Sequence, residues 1–169
     1  SNTLAAAAIA KAEKVPLISY ASTSPELSAL EDGGYLWRVV PSDAFQGKAM
    51  ADIAKEGGYT SAVVLHLDNA YGTGVANAFD SAFDGTVKKI GYDPATFEAA
   101  ALVDQVAAEE ADVLILVAYA TDGSKLFVQM AEQSLNMPVI GGDGIADDAI
   151  FDELDGTLAA MQNVVATKP

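Results

Sequence analysis

The sequence predicts an α/β fold with three layers, built on a doubly wound, mostly parallel sheet. Three observations predict it. Runs such as "SAVVLHLD" and "DVLILVAYA" are almost unbroken in their hydrophobicity, as strands covered on both faces must be. Between such runs, apolar residues recur every third and fourth position, the period of an amphipathic helix. The joints are short, so strand and helix alternate as in parallel sheets with crossover helices.

Leu4–Ala12 is alanine-rich and helix-prone. A signal-peptide core is the competing reading of "LAAAAIA", but no basic segment precedes it. Val15–Ser19 reads as a short buried strand, after which Thr23 or Ser24 is placed to cap a turn at Pro25. Tyr35–Val40, "YLWRVV", is a second strand ended by Pro41. Asp43 reads as an N-cap with Gln46 completing a capping box. Phe45, Ala49 and Ile53 mark one face of the helix that follows, and Gly57-Gly58 stops it.

Ser61–Asp68 is a strand. Val75, Phe79 and Phe83 mark a helix ending before Gly85, and Thr86–Tyr92 is a weaker strand nearer an edge. Leu102, Val103, Val106 and Ala107 mark the next helix. "DVLILVAYA" after it is the most buried strand. Leu126, Phe127, Met130 and Ala131 line a further helix face, with Asn136 as its C-cap. Pro138–Gly142 is a strand, Asp147–Leu154 a short acidic helix and Asn163–Thr167 the last strand.

The 169 residues suffice for one domain, or one lobe of something larger. Acidic residues number 24 against 9 basic ones, a net charge of −15. Such a surface repels phosphate backbones and anionic membranes, so nucleic acid is not an expected partner. It reads as a solvated surface or as adaptation to a saline habitat. Without cysteine there are no disulfides, thiolate metal sites or cysteine nucleophiles. No apolar run approaches the ~20 residues of a membrane helix. The opening Ser-Asn-Thr reads as the remnant of a cut, so a signal sequence is not expected within this chain.

In open parallel sheets, ligands bind beyond the carboxyl ends of the strands. Four segments rich in functional groups fall there: "SYASTSP", "DNAYGTG", "AYATDG" and "GGDG". Each has a plainer reading. The hydroxyls could cap a helix, Tyr71 and Tyr119 could be core tyrosines, and Asp143 could sit in an ordinary turn. Gly72-Thr73-Gly74 lacks the third glycine of a dinucleotide fingerprint, Asn77 standing in its place, and lies four residues beyond the strand. His66, the one histidine, sits inside an apolar strand and reads as structural. No nucleophile elbow, phosphate-binding loop or cysteine–histidine pair occurs, so no enzyme activity, metal or cofactor is expected.

Taken in order, "KVPLISYASTSPELS", "LWRVVPSDAFQGKAMADIA", "AVVLHLDNAYGTGVANAF", "DVLILVAYATDGSKLFVQM" and "PVIGGDGI" resemble the type I periplasmic binding proteins. The likeness is to the branched-chain amino acid receptors of ABC importers and extends over essentially the whole chain. It implies a Rossmann-like lobe and two lobes closing on a ligand. It assigns the Ala21 carbonyl to the ligand's ammonium group, and the Thr23 hydroxyl and amide to its carboxylate, with Ser22 beside them. Tyr71 would face the ligand from the other lobe, Tyr119 would pack over the ammonium, and Asp143 would pair with it. Aspartate is shorter there than the glutamate of some relatives.

Family members are roughly twice as long, so the chain reads as a fragment. Residues 1–42 would be a remnant of the first lobe with the crossover, 43–158 the second lobe, and 159–169 a strand returning to the first. Self-association is expected of the surface this leaves uncovered. The resemblance implies a periplasmic or extracellular protein, compatible with a lipid anchor, that delivers an amino acid to a membrane permease. The same fold also serves as the sensor domain of receptors. A nucleotide-dependent enzyme and a protein-contact domain are the competing readings.

Overall fold

The computed structural model describes residues 2–154, 161 and 163–168. A small two-stranded parallel sheet and a five-stranded parallel one make up the chain. Helix α1 (Asn2–Glu13) leads into β1 (Leu17–Ser19), which pairs with β2 (Leu36–Arg38). The larger unit follows as α2 (Asp43–Glu56), β3 (Ser61–Leu67), α3 (Ala70–Ala82), β4 (Thr86–Tyr92), α4 (Ala99–Ala108), β5 (Val113–Val117) and α5 (Ala120–Glu132). It ends with β6 (Val139–Gly141), α6 (Ala149–Glu153) and β7 (Val164–Ala166).

The strand order is β4-β3-β5-β6-β7. The chain steps one way from β3 to β4 and the other way from β4 through β5 to β6. Right-handed crossovers in opposite directions must lie on opposite faces of a sheet. Accordingly, Val63, Leu65, Leu67, Leu114 and Leu116 pack with α4 and α5 on one face. Ala62, Val64, Val113, Ile115 and Val117 alternate with them and pack with α2 and α3 on the other. Every residue of β5 is buried, while β4 at the edge alternates and is mostly exposed. The carboxyl ends of β3 and β5 flank the point where the direction of winding reverses.

Several local expectations differ from what is observed. Ser42, not Asp43, caps α2, its side chain accepting from the Ala44 amide at 3.3 Å. Asp43 is the first helical residue and is buried. Gln46 forms no capping box, because its side-chain amide donates to Thr167 Oγ1 at 3.2 Å. The buried face of α2 is Asp43, Gly47, Met50, Ala51 and Ala54, and Phe45 is exposed. Small residues let α2 approach α3 closely, which turns the phenyl ring outward.

Ser24 rather than Thr23 caps a 3₁₀ turn at Pro25–Ser28. Helix α5 is capped not by Asn136 but by Gln133, with Ser134 beyond it in the left-handed region at φ 57° and the Leu135 amide donating back to Met130 O at 2.8 Å. The first strand is shorter than expected and not buried, Ile18 standing 65% exposed beside Trp37 and Val39. A two-stranded sheet with a helix on one side covers only one of its faces. The expected lobe boundary at Leu158 lies outside the described residues. Among the described residues no helix is long and apolar enough to cross a membrane.

Candidate functional site

Each wall of the site is set by a local rule. After β1, the Ser19 hydroxyl accepts the Ser22 amide at 3.0 Å and folds the chain back on itself. Arg38, at the end of β2, fixes the far side of this loop. Its Nη1 donates to the carbonyls of Thr23 (3.0 Å) and Ser24 (2.8 Å), and its Nη2 to Ser28 Oγ. The Asp43 amide also donates to the Thr23 carbonyl, at 3.0 Å. With its carbonyl tied from two sides, Thr23 is held in one orientation. Ser22 Oγ is 2.6 Å from Thr3 Oγ1, so this hydroxyl is already engaged within the chain.

On the opposite wall, Asn69 caps α3, its Oδ1 accepting the Gly72 amide at 2.9 Å. A Cβ at Gly72 would lie 2.0 Å from the Leu67 carbonyl oxygen, so only glycine lets the helix start this close to its strand. That turn sets Tyr71 at the mouth of β3. Tyr119 occupies the equivalent place after β5, and the two rings stack with centroids 5.5 Å apart and planes 13° from parallel. Asp143 follows β6. Its Oδ1 accepts the Tyr71 hydroxyl at 2.7 Å, and that hydroxyl accepts the Gly144 amide at 3.2 Å.

Ala21, Ser22, Thr23, Tyr71, Tyr119 and Asp143 all line one cavity of about 240 Å³, with Ser24, Ala70 and Gly144. It lies at the reversal of winding between β3 and β5, where open α/β sheets take ligands. A larger groove, about 910 Å³, runs along the outside of α2 and α3 and is lined by none of these six. Of its charged residues Glu26, Lys48, Asp52, Lys55 and Asp68, Lys48 pairs with Asp52 and Lys55 with Asp84.

The field in the cavity is negative. Burial first, then the bond to Asp143 and its charge, pushes the Tyr71 hydroxyl far above the ordinary phenol range. Burial and the charges of Asp143, Asp43 and Asp122 raise that of Tyr119. Both phenols therefore stay neutral at ordinary pH. One end of the cavity offers neutral donors at Thr23, and the other the Asp143 carboxylate, bonded by Tyr71, whose ring stacks on Tyr119. A small molecule bearing both charges has a partner for each here.

Sequence reasoning missed Arg38, Asp122 and Asp43. Arg38 had a signal, a lone base inside an apolar strand. Asp122 is buried in the first turn of α5, beside Tyr92. Asp43 is 1% exposed, and neither carboxylate oxygen has a hydrogen-bonding partner of full geometry among the described residues. Burial raises its pKa to about 6; the adjacent Thr23 hydroxyl and Arg38 lower it, and Asp143 adds to the rise. It lies behind Thr23 rather than on the cavity wall.

Comparison with known proteins places these features in context. Residues 2–169 match the family described as the receptor family ligand binding region. The chain is 30% identical to Glutamate receptor 3.1 of Oryza sativa subsp. japonica across 91% of its own length and 18% of the receptor's. It is 29% identical to Leu/Ile/Val-binding protein homolog 3 of Brucella melitensis, across 79% of this chain and 37% of that protein. The solved leucine binding protein LivK of Thermotoga maritima superposes with a TM-score of 0.82 at 26% identity. That match covers 92% of this chain and 45% of LivK. The chain thus spans less than half the length of each of these relatives.

Proposed function

The chain belongs to the receptor family of ligand-binding regions, and from that premise we propose that it forms part of a non-catalytic solute-binding protein of an ABC importer, for an amino acid. The observation that carries this reading is the cavity with Thr23 at one end and the Tyr71–Asp143 pair, 2.7 Å apart, at the other. The Thr23 amide and hydroxyl take the ligand's carboxylate, and the Ala21 carbonyl and Asp143 take its ammonium. Tyr119 covers the ammonium, where an aromatic face adds about 0.5–2 kcal/mol. Ser22 shapes the loop beside them. Capture in the whole protein closes the two lobes on each other across this cavity, outside the cytoplasm and in contact with a membrane permease.

The test is thermal melting of the full-length protein with L-leucine, L-isoleucine, L-valine and L-glutamate, chosen from the ligand names carried by the relatives above. A true ligand at about 100 times its Kd stabilises by ~2.7 kcal/mol. Asp143→Ala is expected to abolish that shift. No shift with any amino acid, but one with a dinucleotide, would replace this reading with an enzymatic one. The similarity to a plant glutamate receptor favours a second reading, a receptor's sensor domain. The same site would serve it, and a channel or signalling domain in the same polypeptide would decide for it.

A further inference from the structure

Gly74 of α3 and Pro25, the first residue of the 3₁₀ turn, line the larger groove and not the cavity. The ligand-binding reading gives neither of them a task. A Cβ at Gly74 would stand 3.2 Å from Pro25 Cδ, tighter than side chains ordinarily pack. Cδ belongs to a ring closed onto the backbone nitrogen, so it cannot rotate aside. Pro25 thus rests on α3 at a distance that only a bare Cα allows. Nearby, the Asp43 amide donates to the Thr23 carbonyl at 3.0 Å. These two contacts seat the loop after β1 on the larger unit.

If Gly74 gained a side chain, the turn would yield rather than the helix. Helix α3 is packed tightly at its start and in its middle. A Cβ at Gly72 would lie 2.0 Å from the Leu67 carbonyl oxygen, and the Cβ position of Gly47 in α2 is 2.5 Å from Ala78 Cβ. The turn belongs to the small sheet and moves as one piece with Thr23. Arg38 ties them together, its Nη1 holding the Thr23 and Ser24 carbonyls and its Nη2 holding Ser28. A shift of a few tenths of an ångström at Pro25 therefore carries Thr23 away from the larger unit. Tyr71 and Asp143, bonded to each other at 2.7 Å, stay behind with that unit. We propose that the bare Cα of Gly74 sets the span between Thr23 and Asp143, so that the site selects ligands by the spacing of their two charges. Gly74 is then a positioning residue that acts through Pro25. This rests on the amino acid-binding reading above and narrows its substrate class. The class is α-amino acids, with ammonium and carboxylate on one carbon, over β-amino acids, which hold them one carbon further apart.

The test uses the full-length protein and two isomers, L-leucine and β-leucine, whose amino group stands one carbon further from the carboxylate. Both carry the same two charges at neutral pH, so the ratio of their Kd values reads spacing and not charge. The unaltered protein is expected to prefer L-leucine. Gly74→Ala is expected to cut that preference about fivefold, part of the worth of one charge-assisted hydrogen bond. Pro25→Ala removes Cγ and Cδ, the ring atoms nearest the new methyl group. In that background Gly74→Ala is expected to leave the ratio where Pro25→Ala alone puts it. A Gly74→Ala protein that binds both isomers more weakly at an unchanged ratio overturns the inference. So does a change of ratio that persists without the proline ring.

Melting the same four proteins without ligand separates this inference from the reading beneath it. Alanine suits a helix better than glycine, and in the unaltered background the proline ring opposes that gain. The change in melting temperature caused by Gly74→Ala should therefore be more favourable in Pro25→Ala than in the unaltered protein. Equal changes in the two backgrounds mean that the two positions act independently, and overturn the inference even if leucine binds. If neither isomer binds, the amino acid reading falls and the selectivity falls with it. Unequal melting changes would then show that Pro25 does rest on Gly74 and that the ligand class was the error.

Discussion

At the scale of single residues, the site turns on who shares a hydrogen bond with whom. The Tyr71 hydroxyl gives its hydrogen to Asp143 and takes one from the Gly144 amide, so it fixes the acid and the chain beside it together. Tyr71→Phe keeps the stack on Tyr119 and removes only these two bonds. Because the cavity admits water to the orphaned groups, the expected cost is about 1–2 kcal/mol, read as a lowered midpoint in urea unfolding. Amino acid affinity should fall by less than in Asp143→Ala, since the carboxylate survives without its brace. An effect equal to that of Asp143→Ala would mean the tyrosine itself holds the ligand.

The segments that line the cavity were legible in the sequence because strand ends announce themselves: an apolar run stops, and polar groups follow at the sheet's edge; the choice of individual residues within them came from the family resemblance. Asp43 was not legible. Ser-Asp before a helix reads as a cap with either residue in the role, and which of the two is buried depends on the loop after β1 that packs against them. Arg38 was hidden for the same reason, its partners being carbonyls 14 and 15 positions earlier in the chain. Long-range partners of this kind leave no periodic trace.

At the scale of elements, two contacts fix the larger unit, one between the starts of its two central strands and one between helices α2 and α3. Asp112 lies just before β5, and its Oδ2 accepts the Thr60 and Ser61 amides at 2.8 and 2.9 Å and the Thr60 hydroxyl at 2.9 Å. Those bonds, from the backbone of Thr60 first, hold its pKa at about 2. A depressed carboxyl stabilises the fold above its unfolded value and loses that contribution as pH falls. Asp112→Ala is thus expected to lower the urea midpoint at neutral pH, with the difference shrinking between about pH 4 and 2. A pH-independent difference would point to packing instead of charge.

Gly47 tests the other contact. Alanine there gains about 1 kcal/mol in helix propensity. Yet its Cβ would stand 2.5 Å from Ala78 Cβ and 2.6 Å from the Phe79 backbone nitrogen, and backbone cannot swing aside. Overpacking of this kind costs about 1–3 kcal/mol, so Gly47→Ala should destabilise on balance, measured as a drop in melting temperature. The same close approach explains why helical spacing misread the buried face of α2. Phe45, Ala49 and Ile53 are the larger or regularly spaced apolar residues, but the helix pair meets through glycine and alanine. The helix ends at Lys14, Glu110 and Ser134 are equally silent in sequence, because all three enter the left-handed region without being glycine.

For the whole molecule, the dominant quantity is the net charge of −15. The doubly wound parallel sheet, its edge strand at Thr86–Tyr92 and its most buried strand were readable from local patterns, whereas the full strand order is seen only in the structure. How that charge bears on stability needs the structure, because it depends on pairing. Among the described residues the ion pairs are Lys48–Asp52, Lys55–Asp84, Lys88–Glu109 and Lys89–Asp80. All are at the surface, where such pairs contribute about 0–1 kcal/mol each. Among the described residues only four acids are paired with a base, and nine bases cannot offset 24 acids, so mutual repulsion favours expansion of the chain. Salt acts on both terms, weakening the few attractions and the many repulsions alike. The repulsions outnumber the attractions, so raising sodium chloride from about 0.05 to 1 M, which shortens the screening length from over 10 Å to about 3 Å, should raise the melting temperature. Replacing the chloride by the same ionic strength of a larger, weakly hydrated halide checks that screening is responsible, since a shared charge effect keeps the rise. A melting temperature that falls with sodium chloride would mean that the surface pairs outweigh the repulsion, and that the acidity does not burden the fold.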